Sequence, residues 1–350
     1  MRVRRWTGLA VALLWSLPLP VAAQQKPPGY EHDAPAFTFN RIVEGVYHAV
    51  GTGSMSVGAN SVAIINDSDV VLVDSHVSPA AATALLDELR QITDKPVRDV
   101  VDTHYHFDHA HGNQVYAPGV EIIGHGFTHA MLAGGASVTG KTWTRFIATL
   151  PAQIAALKAQ LDTTTSAADR VALGRRIKIQ ESYQAATDAV RPTPPNVTFD
   201  HELTLYRGSR EIRIEFLGRG HTGGDVVVYL PRERILAGGD LVSTQLPYMG
   251  DGYVPDWIET LERMKQLDFD VILPGHGPAF RGKERIDQLQ QYLLDFWGQV
   301  VKLHHEGVSA IDAAQRVDMR AHAKDFPSIR GVGVDLDAVL GAYEVIAGVR

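Results

Sequence analysis

The sequence predicts an α/β protein in which two β-sheets lie between layers of α-helix. Two β-rich halves are each flanked by helical stretches, which is the pattern of a layered α/β architecture. The halves also echo each other, since "VVLVDSH" and "RILAGGDLV" are both apolar strands that run into an aspartate. With 350 residues, 45% of them hydrophobic, the chain can bury a sizeable core in one large domain or two small ones.

The first half alternates strands with helices. The runs "GVYHAVG", "NSVAIIN" and "VVLVDS" are rich in β-branched residues and are separated by Gly, Asn and Asp, which predicts three short strands. "SPAAATALLDELRQI" has apolar residues at helical spacing and a Ser78-Pro79 start, so it predicts a helix. "VRDVVDTH" and "EIIGH" are expected to be the next two strands.

Residues 143–190 interrupt this alternation with two long amphipathic stretches separated by "TTT". They predict a helical hairpin inserted into the fold, with Ser166 as the N-cap of its second helix. The proline-rich "RPTPPN" ends the hairpin. A lid, a dimer surface and simple packing all stay open as roles for this insertion.

Strands return after the hairpin, at "TFDHELTLY", "REIRIEFLG", "DVVVYLP" and "RILAGGD". A helix is predicted at "PDWIETLERMKQL" and a further strand at "DVILPGHG". Residues 283–350 are helical by pattern. The sequence therefore predicts an exposed lead-in over residues 24–38, a main domain over 39–282 and a C-terminal helical extension over 283–350.

The first 23 residues have the three-part pattern of a secretory signal peptide. Arg4 and Arg5 precede an apolar run from Leu9 to Leu17, and small residues follow, so cleavage is expected after Ala23. The run is too short to span a membrane comfortably, and an uncleaved anchor is the alternative. We therefore predict a periplasmic or secreted protein without a stable membrane anchor.

Composition narrows the possible partners and ligands. The formal net charge of −7 argues against nucleic acid, because a phosphate-binding surface needs an excess of Lys and Arg. A small-molecule substrate is the expected partner instead. The chain has no cysteine, so any bound metal must be held by His, Asp, Glu or water.

The stretch "THYHFDHAHGN" (103–113) concentrates titratable side chains in one loop after a predicted strand. His104 and His106 alternate and can point the same way, so this pair can hold one cation. Asp108 and His109 follow one turn further on and can hold a second cation. A packed cluster without metal is the alternative, but it would suffer repulsion on protonation and would need many hydrogen-bond partners.

Three further donors follow other predicted strands. His221 lies in "GHTGGD", Asp240 comes directly after "RILAGG", and His276 lies in "PGHG". In α/β proteins such loops converge on one crevice. Seven nitrogen and oxygen donors suit a two-metal site, in which a carboxylate can bridge ions about 3.5–4 Å apart.

These motifs, in this order, resemble those of the metallo-β-lactamase superfamily. "THYHFDHAHG" is similar to its His-x-His-x-Asp-His signature, and "GHTGGD", "LAGGD" and "PGHG" are similar to its later metal motifs. The resemblance covers about residues 40–280 and is interrupted by the hairpin. It implies a four-layer αββα sandwich with the site at one edge, and a catalytic role for the domain over 39–282.

The resemblance also implies a role for each matched residue. His104, His106 and His221 would bind the first metal, and Asp108, His109 and His276 the second, with Asp240 bridging them. Asp74 matches an acid of the family that orients metal ligands, and capping of the next helix is its structural alternative. The other implied supporting or substrate-contacting residues are Thr103, Thr222, Asp225 and Tyr248.

The implied reaction is hydrolysis of an ester, thioester, lactone or amide bond. Two divalent ions, zinc by preference with iron or manganese also compatible, would lower the pKa of a bridging water so that hydroxide exists at neutral pH. Asp108 would orient this nucleophile or accept its proton. No "GxSxG" motif supplies a serine nucleophile.

Two residues that differ from those of particular family members decide which activities are favoured. His106, rather than Glu, disfavours the redox chemistry of the di-iron flavoproteins that the resemblance includes. Asp240 stands where dedicated β-lactamases usually have Cys or Ser, and an Asp there resembles glyoxalase II-like thioesterases and lactonases. β-Lactam cleavage, a mono-iron sulfur dioxygenase and a non-catalytic metal-binding protein remain as alternatives.

Overall fold

A computed structural model describes residues 25–116 and 118–350. The predicted signal peptide at residues 1–23 lies outside them. Within the described residues, the strands form a seven-stranded and a six-stranded sheet. The sheets face each other, and helices cover their outer faces, which confirms the predicted αββα sandwich.

The first sheet is mixed and runs in chain order. Its first four strands pair antiparallel, and the remaining neighbours are parallel. The strands are β1 (Phe37–Val43), β2 (Val46–Gly51), β3 (Ser61–Ile65), β4 (Val70–Val73), β5 (Val97–Val101), β6 (Glu121–His125) and β7 (Val197–Phe199).

The second sheet has the order β13-β12-β11-β10-β9-β8, and only β11 and β12 pair in parallel. Its strands are β8 (Glu202–Arg207), β9 (Arg210–Glu215), β10 (Val227–Leu230), β11 (Ile235–Gly239), β12 (Val271–Pro274) and β13 (Phe280–Arg281). "TFDHELTLY", predicted as one strand, is therefore two strands in different sheets. The chain crosses between the sheets at Asp200 and His201.

The helices divide between the outer layers, the hairpin and short turns that follow strands. Those of the first half are α1 (Pro79–Leu89), α2 (Phe107–Ala110), α3 (Gly126–Ala133), α4 (Ala136–Thr139), α5 (Lys141–Thr163) and α6 (Ala167–Thr187). Those of the second half are α7 (Val254–Gln266), α8 (Glu284–His305), α9 (Ala310–Arg316) and α10 (Leu336–Ile346). Single 3-10 turns cover Asn113–Val115 and Arg320–His322.

Local sequence explains where the predicted helices begin. The Ser78 side chain accepts a hydrogen bond from the Ala81 N–H at the start of α1, and Ser166 does the same for Asp169 at the start of α6. Both predicted caps are therefore present. The hairpin is formed by α5 and α6, and α3 and α4, which the sequence analysis did not predict, lead into it.

The core has a layer between the sheets and one outside each sheet. Between the sheets, Val71 and Val73 belong to the same buried cluster as Ile212 and Val228. On the outside of the second sheet, α7 and the helices of residues 283–350 share one apolar cluster, so these helices form part of the sandwich. The loops at the strand ends of the sandwich bring the predicted metal ligands of both sheets to one edge. None of the helices described is long and apolar enough to cross a membrane.

Candidate metal centre

All seven predicted ligands lie together at one edge of the sandwich. Asp74 and the 103–113 loop follow the parallel strands β4 and β5, and Asp240 and His276 follow the parallel strands β11 and β12. His221 lies in the loop between β9 and β10. The site therefore forms where strand ends of both sheets meet.

Two groups of donor atoms match the ligand sets that the resemblance implied, and a third group, of His104, His109 and Asp240, joins them. His104, His106 and His221 each place a ring nitrogen within 4.8 Å of the others, and Asp108, His109 and His276 form a second such group. In the first, His221 Nε2 lies 2.9 Å from His106 Nδ1.

Asp240 lies between the two groups, as a bridging carboxylate must. Its Oδ2 atom is 3.6 Å from His221 Nε2 in the first group and 3.3 Å from His276 Nε2 in the second. Its Oδ1 atom is 3.5 Å from His109 Nε2. His276 Nε2 is also 3.1 Å from Asp108 Oδ2, so Asp108 and Asp240 both face the second group.

The residues fit a pair of divalent ions because several buried donor atoms lack any other partner. His104 Nε2, His109 Nε2 and Asp240 Oδ1 have no hydrogen-bond partner among the described residues, although all three are buried. Leaving such atoms unpaired costs roughly 1–3 kcal/mol each. A pair of cations, one in each group, would satisfy all three atoms, and their nitrogen and oxygen chemistry suits zinc, iron or manganese.

Electrostatics favours the ligating form of His104, His221 and Asp240. Burial keeps the pKa of His104 well below its usual range and lowers that of His221 to about 3, so both imidazoles are neutral. Burial opposes ionisation of Asp240, but His276 and His109 outweigh it and hold the Asp240 pKa well below its usual range. Neutral imidazoles with ionised carboxylates are what binding of a divalent metal requires.

The second group carries the positive charge that a metal would otherwise supply. Asp240 raises the pKa of His276 to about 10, against a smaller effect of burial. Burial lowers the pKa of His109, but Asp240, Asp74 and Asp108 outweigh it and raise it well above its usual range. These carboxylates therefore attract cationic charge to this position.

Asp74 contacts the ring of one ligand and the threonine beside another. It adopts a left-handed backbone with φ of 64° directly after β4. Its carboxylate accepts hydrogen bonds from His109 Nδ1 at 2.7 Å, from the Thr103 N–H at 2.8 Å and from Thr103 Oγ1 at 3.0 Å. Thr103 Oγ1 is also 3.0 Å from His104 Nδ1. Asp74 and Thr103 thus fix the outward nitrogens of two ligands, so that each Nε2 faces the centre.

Thr222 and Asp225 act on the loop of His221 rather than on its ring. The Asp225 carboxylate accepts hydrogen bonds from the Thr222 N–H at 2.7 Å and from Thr222 Oγ1 at 2.9 Å. Burial raises the pKa of Asp225 to about 6, against the opposing effect of these bonds. Neither side chain makes a hydrogen bond to a ligand ring in the described part of the chain.

A pocket of about 460 Å³ opens onto the metal ligands. The predicted contact Tyr248 lines it, with its ring centroid 6.2 Å from that of His106. Phe146, from α5 of the hairpin, also lines it and stacks on Phe107 at a centroid distance of 4.9 Å. Phe107 lies between His106 and Asp108 in the chain, so the hairpin contacts the metal loop directly.

Asp251, Phe146 and Arg145 are parts of the site that the sequence did not predict. Asp251 accepts a hydrogen bond from His106 Nε2 at 3.1 Å, and Arg145 lines the pocket beside Asp337. Arg145 and Phe146 occupy an amphipathic helical stretch, and Asp251 lies in a loop between two glycines. No spacing signal links these residues to the histidine motif.

The fold and the paired donor groups define a class: αββα sandwiches with a candidate two-metal site at one edge. A family model described as "Metallo-beta-lactamase superfamily" matches residues 56–276. The chain therefore belongs to the metallo-β-lactamase superfamily, as its motifs predicted.

Two known proteins that are similar to this chain have different names. A "Linear primary-alkylsulfatase" of Pseudomonas sp. is 22% identical over 72% of this chain and 48% of its own length. A "Metallo-beta-lactamase type 2" of Elizabethkingia meningoseptica is 29% identical over 23% of this chain and 34% of that protein. The chain therefore spans about half the length of the first and about a third of the second.

Solved structures support the fold. A metallo-beta-lactamase from Pontibacter korlensis has a TM-score of 0.52 and 21% identity, and the match covers 73% of this chain and 99% of that one. The DIM-1 metallo-beta-lactamase has a TM-score of 0.52 and 18% identity, with 74% and 98% covered. At this identity the likeness shows the shared fold alone.

Proposed function

We propose that this hydrolase is an exported two-metal enzyme, with zinc as its metal, that cleaves an ester, thioester, lactone or amide bond in a small substrate with an apolar group. The observation that carries this proposal is the pocket at the metal centre. Ligands of both groups, among them His106 and His276, line the same 460 Å³ cavity. A bond held there would lie beside both ions.

The apolar part of the substrate is inferred from an apolar wall, formed by the nonpolar and aromatic residues that line the same pocket. Phe107, Phe146, Leu246, Pro247 and Tyr248 line the pocket. The one arginine in the lining, Arg145, is paired with Asp337, so its charge is already compensated. This wall supports a neutral, apolar group next to the scissile bond.

Two bound ions would polarise the scissile carbonyl and lower the pKa of water at the site. Asp108 lines the pocket, and His109 and His276 hold its pKa well below its usual range despite burial, so it is ionised. Its carboxylate can orient the attacking water and accept its proton. Burial raises the pKa of Tyr248, so its hydroxyl stays protonated and can donate to a substrate oxygen.

A sulfate ester is a second candidate bond. The reason is that the relative named linear primary-alkylsulfatase matches 72% of this chain, and an alkyl group would suit the apolar wall. We rank it second because that match is 22% identical.

The test is a substrate panel on the fully metallated protein, with p-nitrophenyl esters, a thioester, a lactone, an alkyl sulfate and a β-lactam. We expect turnover of a carboxylic ester, thioester or lactone, and loss of most of it in Asp108→Ala. The matched control is Asp318→Ala, which removes an aspartate from an exposed pair with Arg320. Turnover unchanged by Asp108→Ala would refute the role of Asp108.

Other results would favour the alternatives. Turnover of the alkyl sulfate alone would support the second candidate, and turnover of the β-lactam alone would support a β-lactamase. No turnover of any substrate would favour a metal-binding protein. Metal analysis separates two zinc ions from the single iron of a dioxygenase. Export is tested by N-terminal sequencing of the mature protein, which is expected to begin at Gln24.

A further inference from the structure

Asp251 lies in the loop between β11 and α7, and its side chain is only 14% exposed. Its Oδ2 atom accepts a hydrogen bond from His106 Nε2 at 3.1 Å. The same oxygen accepts a hydrogen bond from the hydroxyl of Thr142, in the first turn of α5. One buried carboxylate oxygen therefore joins a metal ligand to the helical hairpin.

We propose that Asp251 is a positioning residue for the first metal site, and that through it the hairpin fixes the ring of His106. An imidazole ring can flip and can carry its proton on either nitrogen. A carboxylate at Nε2 selects the tautomer with the proton on that nitrogen, which leaves the lone pair on Nδ1. His106 Nδ1 is the nitrogen that faces His221 Nε2, at 2.9 Å.

The arrangement mirrors the support of the second site. Asp74 accepts the hydrogen bond of His109 Nδ1 at 2.7 Å and leaves His109 Nε2 facing the centre. Asp251 holds Nε2 of His106, whereas Asp74 holds Nδ1 of His109. Nδ1 of His106 is therefore the nitrogen left to bind a metal. Each predicted metal site thus has one histidine oriented by its own aspartate.

Asp251 is itself held by elements outside the two sheets. Arg350 Nη2 donates to the Gly250 carbonyl oxygen at 2.9 Å and lies 3.7 Å from Asp251 Oδ1. Lys141, next to Thr142, forms an ion pair with Glu344 of α10 at 3.3 Å. The start of α5 is therefore anchored on α10, which keeps the Thr142 hydroxyl within hydrogen-bond distance of Asp251.

The test measures metal affinity and needs no substrate. Zinc is titrated into the metal-free protein against a chelator of known affinity, which resolves two binding steps. Loss of a carboxylate that orients a metal-binding histidine typically weakens binding by about 10- to 100-fold. We expect Asp251→Ala to weaken one step by this factor and to leave the other within about twofold. The matched control Asp318→Ala is expected to leave both steps unchanged.

The hairpin arm of the proposal is tested at Thr142. Thr142→Val removes the donor with little change in shape and is expected to weaken the same step, by less than Asp251→Ala does. Thr142→Ser is expected to restore it. A Thr142→Val protein with both steps as in the wild type would overturn the link to the hairpin.

Histidine NMR separates positioning from a general loss of structure. In the wild type, the ¹⁵N shifts of His106 are expected to show the proton on Nε2. In Asp251→Asn, which keeps the shape of the side chain, a mixture of tautomers is expected while the His109 signals stay unchanged. Wild-type zinc affinity in Asp251→Ala, or an unchanged tautomer in Asp251→Asn, would refute the proposal. Because both readouts are independent of turnover, they stand apart from the test of the proposed function.

Discussion

Replacing Phe146 with alanine should shorten the range of acyl chains that the proposed esterase activity accepts. Phe146 is 38% exposed and forms one side of the apolar wall, where it stacks on Phe107 at 4.9 Å. Its loss opens the wall at the hairpin but leaves every predicted metal ligand in place.

The size of the effect follows from the area that the wall can cover. Full burial of one methylene is worth about 0.8 kcal/mol. The pocket is open to solvent on one side, so about half of that, roughly 0.4 kcal/mol or a factor of about two in kcat/KM, is expected per methylene. Four added methylenes, from acetate to hexanoate, should then raise kcat/KM by about 16-fold in the wild type. Without Phe146 the increase should fall to about fourfold.

The assay is kcat/KM for a series of p-nitrophenyl esters from acetate to octanoate. Phe146→Leu is the matched control, since it keeps an apolar side chain on the wall and should retain most of the dependence on chain length. Loss of the stacking pair costs about 1 kcal/mol of stability, so the variant should stay folded. An unchanged hexanoate-to-acetate ratio in Phe146→Ala would refute the assignment of this wall to the substrate.

Three further predictions concern the centre and its surroundings. Gly275→Ala should deplete bound metal without removing a ligand, because a Cβ atom there would lie 2.3 Å from Asp240 Oδ1 and 2.7 Å from His109 Cε1; two ions per chain after dialysis would contradict this. Burial lowers the pKa of His111 to about 4, whereas it is about 6.5 in the unfolded chain. The neutral ring therefore costs the folded protein nothing above pH 6.5, and the free energy of unfolding falls by about 3 kcal/mol as the pH falls to 4. Urea unfolding of the metal-free protein at pH 7 and pH 4.5 should show a smaller pH effect in His111→Gln, and equal effects in both proteins would argue against that pKa. Chelation of two ions, each present at 100 times its dissociation constant, should remove about 5 kcal/mol and lower Tm by on the order of 10 °C in a thermal melt; an unchanged Tm would mean that the ions add nothing to stability.

The sequence was sufficient to predict the sandwich and to place the seven donors. Each donor lies in a segment that follows a strand, and strand ends of both sheets meet at one edge. A short motif such as "THYHFDH" therefore carries long-range information, because the fold brings the ends of its strands together. The family resemblance also pointed to Asp74, which directly follows β4.

The features that escaped prediction depend on contacts that no local pattern encodes. Asp251 is 145 residues from His106 in the chain, and its hydrogen bond depends on the path of a loop. The stretch from β7 to β8 has the composition of one strand, and only the sheet pairings show that it changes sheets at Asp200 and His201. Phe146 is one apolar position on an amphipathic helix, and the sequence does not show that this position faces a pocket.

The hairpin of α5 and α6 has a consequence for how the proposed enzyme can diversify. It enters and leaves the sandwich between β6 and β7, so its sequence can change without altering the strands that carry the donors. It nevertheless supplies Phe146 to the pocket and Thr142 to the carboxylate beside His106. Exchange of this one segment between related proteins would thus alter the pocket wall and the surroundings of His106 in a single evolutionary step, with the donor-bearing strands conserved.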